Sequence, residues 1–145
     1  MTSQNRKLLL LGASVCILSL CAASASAQLP GADAAAALRS AKTIYVKSSS
    51  VLVGASVVEA KLQKRPEFAQ MSLVITRDEA AADLILELEH DVFTKYVYTA
   101  IDRRTNTVVA SGKLSSLGGT VGGKVAKRFL KQMLQARSTA PPAKS

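Results

Sequence analysis

The sequence predicts an α+β fold, a two-layer sandwich in which both helices cover one face of a mixed β-sheet. Residues 83–93 alternate apolar and polar side chains, which is typical of a strand with one buried and one wet face. Two more strand-like segments follow with a polar turn between them, so three antiparallel strands are expected in succession. Residues 121–137 then repeat apolar side chains every four positions, as in a helix that packs on a sheet. The predicted order is β-α-β-β-β-β-α.

The first part of the domain is predicted to form a β-α-β unit. Residues 43–46 (TIYV) are β-branched or aromatic, which favours a strand, and Ser48–Ser50 offers a helix N-cap. Residues 51–64 are predicted as a helix because its spacing is followed by Leu52, Ala55, Val58 or Glu59, and Leu62. Pro66 ends this helix, since the residue before a proline avoids helical angles. Residues 72–76 (SLVIT) supply a second strand, so the helix can cross between two parallel strands.

The second part is predicted to be a three-stranded meander followed by a helix. The strands are expected at residues 83–93, 96–102 and 107–114, with a polar turn at 103–106. The first strand should bury its leucines and expose its acids, that is Leu84, Leu86 and Leu88 against Glu87, Glu89 and Asp91. Both faces of the second strand carry apolar residues, so either can be the buried one. The helix 121–137 should bury one stripe, made of Val125, Ala126, Phe129, Leu130, Met133 and Leu134.

Residues 1–27 have the pattern of a Sec-type signal peptide. Arg6 and Lys7 give a basic start, residues 8–20 are an apolar run, and small residues precede a cleavage point after Ala27. The run is shorter than a comfortable transmembrane helix. We therefore expect export to the periplasm or the medium, with no transmembrane segment after cleavage.

After cleavage, residues 43–137 are predicted to form a single domain. Residues 28–42 are an alanine-rich leader or a short helix capped by Asp33, and residues 138–145 are a disordered tail. Removing residues 1–27 leaves 118 residues, with 17 Lys plus Arg against 10 Asp plus Glu, so the net charge falls from +9 to +7. This excess suits an anionic partner such as lipid, glycan or nucleic acid, and it also serves solubility.

Both cysteines, Cys16 and Cys21, lie inside the predicted signal peptide. Residues 18–21 (LSLC) resemble a lipid-attachment site, but Leu20 is larger than the small residue that such sites carry before the cysteine. Cleavage after Ala27 would leave a chain with no disulfide and no thiol chemistry.

No catalytic set, cofactor site or metal site is predicted. The sole histidine, His90, shares the parity of the buried leucines, which favours a structural role. One histidine and no cysteine after cleavage serve a transition metal poorly. Glu87, Glu89 and Asp91 place three carboxylates along one strand face, where solvation or cross-strand pairing with a cation is favoured over acid–base work.

The stretch 116–125 (SLGGTVGGKV) fits the phosphate-loop pattern G-x-x-x-x-G-K but lacks what a nucleotide site needs. Val125 stands where Ser or Thr would bind magnesium, and no strand follows to supply an acidic residue. The stretch is therefore interpreted as a strand-to-helix joint, and no nucleotide partner is expected. Gly122 and Gly123 either let the helix approach the sheet or leave backbone N–H groups free for a small anion.

The predicted C-terminal helix carries a basic face that offers a candidate anion-binding site. Its members span two turns and are Lys124, Lys127, Arg128 and Lys131. A solvated helix face is the simpler interpretation. Tyr96 and Tyr98 share one strand face and could stack on bases, although packing in the core is favoured.

Three segments carry a resemblance to small α/β domains of bacterial cell-envelope proteins. Residues 82–86 (ADLIL), 100–105 (AIDRRT) and 108–112 (VVASG) resemble a pattern found in the curli-secretion channel component and in the N-terminal domain of the Tol-system propeller protein. Position 106 is Asn, where such turns often carry Thr-Gly. The resemblance implies an envelope protein that acts by interaction rather than catalysis. The leading hypothesis is a non-enzymatic domain that binds another envelope protein or assists assembly, and the alternative is an anion-binding module.

Overall fold

The computed structural model describes residues 31–116 and 120–139. Its helices are α1 (Ala32–Ser40), α2 (Ala55–Gln63), α3 (Pro66–Gln70) and α4 (Val121–Ser138), and its strands are β1 (Thr43–Ser48), β2 (Val74–Ile75), β3 (Leu84–His90), β4 (Lys95–Asp102) and β5 (Thr107–Ser115). The predicted signal peptide with its two cysteines, Gly118, Gly119 and the tail beyond residue 139 lie outside the described residues. Within these residues, every helix is too short or too polar to span a bilayer.

The predicted fold class is confirmed. The five strands form one mixed sheet in the order β2-β1-β3-β4-β5. β1 pairs in parallel with β2 and with β3, and the antiparallel pairs β3–β4 and β4–β5 form the predicted meander. Helices α2 and α4 pack on the same face of this sheet, with α1 against α4 and β5.

Side-chain alternation decides which sheet face is buried. The predicted leucines of β3 are buried, and β4 buries the parity of Tyr96, Tyr98 and Ala100, so the tyrosines belong to the core. The stripe predicted for α4 covers them, with all but Leu134 buried. Burying large apolar side chains from both layers is the main source of stability in such a sandwich.

Two predictions about α2 were wrong. The helix begins at Ala55 rather than Val51, and its N-cap is Gly54 without a side-chain cap. The hydroxyl of Ser50 instead accepts hydrogen bonds from the N–H groups of Leu52 and Val53, which holds a turn before the helix. Leu52 is therefore exposed rather than part of the buried stripe.

The segment after α2 also differs from the prediction. Pro66 ends α2 as expected but is also the first residue of α3, a position where the missing N–H of proline costs nothing. Ser72 then takes a left-handed conformation with φ of 53°, and its N–H bonds back to Ala69. The predicted strand 72–76 is consequently reduced to the two residues of β2.

Helix α1 occupies most of the stretch that the sequence left as a leader or a short helix. Its N-cap is Gly31 rather than Asp33, and Leu38 is fully buried. The guanidinium of Arg137 in α4 donates to the carbonyls of Ala41 at 2.9 Å and Met71 at 3.0 Å. These carbonyls follow α1 and α3, where the helix dipoles favour a cation, so one side chain joins three helix ends.

Tyr98 of β4 and Gly112 of β5 are directly paired, and the position of the tyrosine ring requires glycine at residue 112. A Cβ at residue 112 would lie 2.6–2.7 Å from the Tyr98 ring, so only glycine fits beneath it. The Tyr98 hydroxyl donates to Gln132 of α4 at 3.0 Å. Burial raises the pKa of Tyr98 although Arg128 opposes this, which keeps the phenol a neutral donor.

Gly112→Ala is expected to lower the free energy of unfolding by about 1–3 kcal/mol, because the new methyl group overpacks the Tyr98 ring. Gly123→Ala is the matched control. Nothing lies within 4 Å of a Cβ there, and alanine favours the helix by about 1 kcal/mol. Urea denaturation of both variants would measure the difference. A midpoint for Gly112→Ala equal to that of the parent protein would show that the Tyr98 ring adjusts without cost.

Candidate binding surfaces

Three side chains of α4 hydrogen-bond to the free edge of the sheet. Lys124 Nζ donates to the carbonyl of Ser115 at 3.1 Å, and Gln132 Nε2 donates to that of Ser111 at 3.1 Å. Arg128 donates to the carbonyl of Lys113 between them. Four residues rise about 6 Å along a helix, and two residues rise about 6.8 Å along a strand. Donors spaced by four residues on α4 therefore lie opposite carbonyls spaced by two residues on β5. Three carbonyls of edge strand β5 are thereby occupied rather than offered to another chain.

This arrangement divides the predicted anion-binding face. All four cations are exposed on α4, as expected, but Lys124 and Arg128 are engaged with β5. Lys127 faces a groove of about 330 Å³, and Lys131 does not line it. The groove runs between α2 and α4, and its lining is Lys61, Arg65, Thr120, Gly123, Lys124 and Lys127. The contribution of Lys61 and Arg65 was not predicted, because it depends on how the two helices pack.

The two glycines at the start of α4 have different roles. Gly122 is buried, and a Cβ there would lie 3.2 Å from Val57 Cγ1, so its small size allows α2 and α4 to approach closely. Gly123 has open space around its Cα and lines the basic groove. The approach of the helix to the sheet that was expected at these glycines is therefore an approach of α4 to α2 at Gly122, and close packing does not explain Gly123.

The sheet face opposite the helices carries an apolar band across four strands. Tyr45, Ile85, Ile101 and Val108 are successive cross-strand neighbours in β1, β3, β4 and β5. Ile85 is almost covered by its neighbours, while Val108 is more than half exposed. In the helix-covered layer such residues would be core. Here no element within the described residues packs over them.

The predicted row of carboxylates borders this band. Lys47 Nζ lies 3.3 Å from Glu87 Oε1 on the neighbouring strand, and its hydrogen bond to Glu87 raises the pKa of Lys47. Cross-strand pairing with a cation is thus what the structure shows for Glu87. Glu89 and Asp91 are exposed to solvent.

His90 is exposed at the end of β3 and supports the following turn. Its Nε2 hydrogen-bonds to the carbonyl of Phe93, and its ring lies 4.7 Å from that of Tyr96, centroid to centroid. A carbonyl only accepts, so Nε2 carries the proton. The structural role that the sequence favoured for this histidine is consistent with these contacts.

A cavity that the sequence did not predict lies at the opposite end of the sheet. It measures about 250 Å³ and is lined by Ala37, Ser40, Asp83, Leu84, Asp102 and Arg104. Two carboxylates in one cavity invite an acid–base interpretation. Among the residues that the structure describes, however, no group of three or more His, Cys, Asp or Glu side chains could hold a metal ion.

Both carboxylates of the cavity are already used by the backbone. Asp83 Oδ2 accepts from the N–H groups of Lys42 at 2.8 Å and Thr43 at 2.9 Å. Burial would raise the pKa of Asp83, but these bonds and the Thr43 hydroxyl outweigh it and lower the pKa. Asp102 Oδ1 accepts from the N–H of Arg104 at 2.9 Å. Asp83 therefore ties the start of β3 to the joint between α1 and β1, and Asp102 fixes the turn after β4.

No family model and no curated protein matches the sequence. Among solved structures, the chain is similar to two crystal forms of the PelC dodecamer from Paraburkholderia phytofirmans. The TM-scores are 0.42 and 0.41 and the identities 15% and 16%; each match covers 66% of this chain and 89% or 88% of the PelC chain. At this distance no residue and no activity is carried over.

Asp83→Ala is expected to lower the free energy of unfolding near neutral pH by roughly 1–3 kcal/mol, because two N–H groups lose a charged acceptor. Since the folded-state pKa is lowered, this stabilisation is present above the ordinary value of 3.8 and is lost as the pH falls through the folded-state value. The gap between variant and parent should therefore narrow in acid, which denaturation curves across that range would show. Asp91→Ala, at an exposed carboxylate, is the control. A gap independent of pH would refute the role of the charge.

Proposed function

We propose that the protein is an exported, non-enzymatic domain of the bacterial cell envelope that works by binding another protein. The observation that carries the proposal is the apolar band on the open sheet face. The predicted signal peptide supports export. The hydrogen bonds that Asp83 and Asp102 accept from backbone N–H groups leave the cavity without a free carboxylate pair, which supports binding over catalysis.

The band has the composition of an interface core. Its apolar side chains are contiguous because they are cross-strand neighbours, and the paired Lys47 and Glu87 provide a polar border. Protein interfaces commonly combine an apolar centre with a polar rim. A sheet face that contacts only solvent would be expected to carry polar side chains on all of its strands.

Replacing Ile101 and Val108 together with threonine is expected to weaken partner binding at least about tenfold, equivalent to about 1.4 kcal/mol. Val57→Thr, on the helix layer, makes the same kind of change away from the band. Photo-crosslinking from position 45, which lies in the band and is unchanged in both variants, should yield a defined adduct in exporting cells that the double variant loses and the control keeps. Identical adducts from positions 45 and 57 of the parent protein, or none from 45, would refute the proposal.

A second candidate function is anion binding in the groove between α2 and α4. Lys61 comes from α2, Arg65 from the joint between α2 and α3, and Lys127 from α4. They meet at one groove, which a merely solvated helix face would not require. The candidate site predicted on α4 alone is thus revised: Lys127 is retained, Lys61 and Arg65 are added, and Lys131 lies outside.

Heparin chromatography can test the groove with two equal charge reversals on one helix. Lys127→Glu should lower the salt concentration needed for elution clearly more than Lys131→Glu, because only Lys127 lines the groove. Both variants change the net charge equally. Equal shifts would therefore mean that heparin senses the overall charge and that the groove is not a site.

A further inference from the structure

Two loops meet at the end of the sheet where β1 and β3 finish. The N–H of Ser49 donates to the carbonyl of Leu88 at 3.0 Å, so the loop that leads to α2 leaves the sheet beside the end of β3. The N–H of Ser116 donates to the carbonyl of Thr94 at 2.9 Å, which places the end of β5 at the same turn. We call this region the loop end, meaning residues 50–54 and 91–94.

The loop end exposes four large apolar side chains. Relative exposures are Val51 97%, Leu52 67%, Val92 58% and Phe93 88%. Single exposed apolar residues are ordinary, but here two adjacent loops each present a consecutive pair at their tips. None of the four belongs to the core.

Local hydrogen bonds hold these tips outward. Phe93 has φ of 59°, a left-handed conformation that bulky residues rarely adopt, and its carbonyl is bound by His90. In the other loop, the Ser48 hydroxyl donates to the carbonyl of Val53 at 2.6 Å, and Val53 itself is buried. The backbone is thus fixed on both sides of the apolar pairs, as expected for a preorganised contact.

Positive charge lies along the helices that start at the loop end. Helices α2 and α4 both begin at the loop end, and the basic groove between them runs along the helices from Thr120. Its cations are Lys61, Arg65 and Lys127, together with Lys124, which lines the groove but donates to the Ser115 carbonyl of β5. Asp91 is the one acidic residue in the two loops. On α2 the groove begins at Lys61, about 9 Å along the helix from Ala55. Apolar tips followed by a basic groove are complementary to a bilayer with anionic head groups.

We propose that the loop end docks on the surface of a bilayer that contains anionic phospholipid. Val51, Leu52, Val92 and Phe93 enter the boundary between head groups and acyl chains, and the groove binds lipid phosphate. A protein partner would not require the cations, whereas a lipid surface uses both features. The inference rests on the groove proposed above as an anion site.

Vesicle co-sedimentation tests the proposal on the exported, processed protein. It should bind vesicles of phosphatidylethanolamine with phosphatidylglycerol, and should not bind phosphatidylcholine vesicles. Phe93→Asn, which keeps a residue that tolerates the left-handed conformation, should weaken vesicle binding at least about tenfold and leave heparin elution unchanged. Val92→Ser should weaken it too, whereas Val74→Ser, at a residue 57% exposed on the β2 edge, should not.

The outcomes separate the two proposals. Lys127→Glu should reduce both vesicle and heparin binding if the groove binds anions. Retained heparin binding without vesicle binding, or vesicle binding unaffected by Phe93→Asn, would overturn membrane docking alone. A defined protein adduct from a photo-crosslinker at Phe93, with no binding to vesicles, would assign the loop end to a protein partner instead. If the groove is not an anion site, Lys127→Glu should shift heparin elution no more than Lys131→Glu does.

Discussion

The contact between α4 and the sheet is the constraint on which the rest of the structure depends. The buried stripe of α4 covers the centre of the sheet, and Lys124, Arg128 and Gln132 reach over its side to the carbonyls of β5. Gln132 also accepts from Tyr98, whose ring lies over Gly112. Apolar burial fixes the height of the helix above the sheet, and the matched rises of helix and strand fix its direction. The occupation of three β5 carbonyls follows from that geometry.

The same contact determines where function can reside. Lys124 and Arg128 are committed to the edge, so the available cations are those that α2 and α4 bring together at their groove. Because the helices all lie on one face, the opposite face retains its apolar band without a cover among the described residues. The cavity lined by Asp83 and Asp102 has both carboxylates bound to backbone N–H groups. Surfaces rather than an enclosed pocket therefore carry the proposals.

Periodicity in the sequence was sufficient to predict the fold class and the main elements. It was not sufficient to predict where α2 begins or that α3 follows it. Alternation predicted β3, and the stripe from Val125 to Met133 predicted α4, because both depend only on local period. The start of α2 was missed because the Ser50 hydroxyl serves a turn, and α3 because Pro66 both ends one helix and begins another. The partners of Lys124 and Arg128 depend on helix–strand register, which no local pattern contains. The pattern that suggested envelope domains contains Asp83, Asp102 and Gly112, each with a structural role here.

The loop end and the open sheet face can be used at the same time. The loop end terminates the strands, while the apolar band runs across them on the side away from the helices, so the two surfaces meet at an angle rather than overlap. A domain docked by Phe93 and its neighbours would stand with its strands inclined away from the bilayer. Tyr45, Ile101 and Val108 would then face sideways, parallel to the membrane plane. A partner recruited there would be confined to the same surface, and binding in a plane raises effective concentration without any new contact.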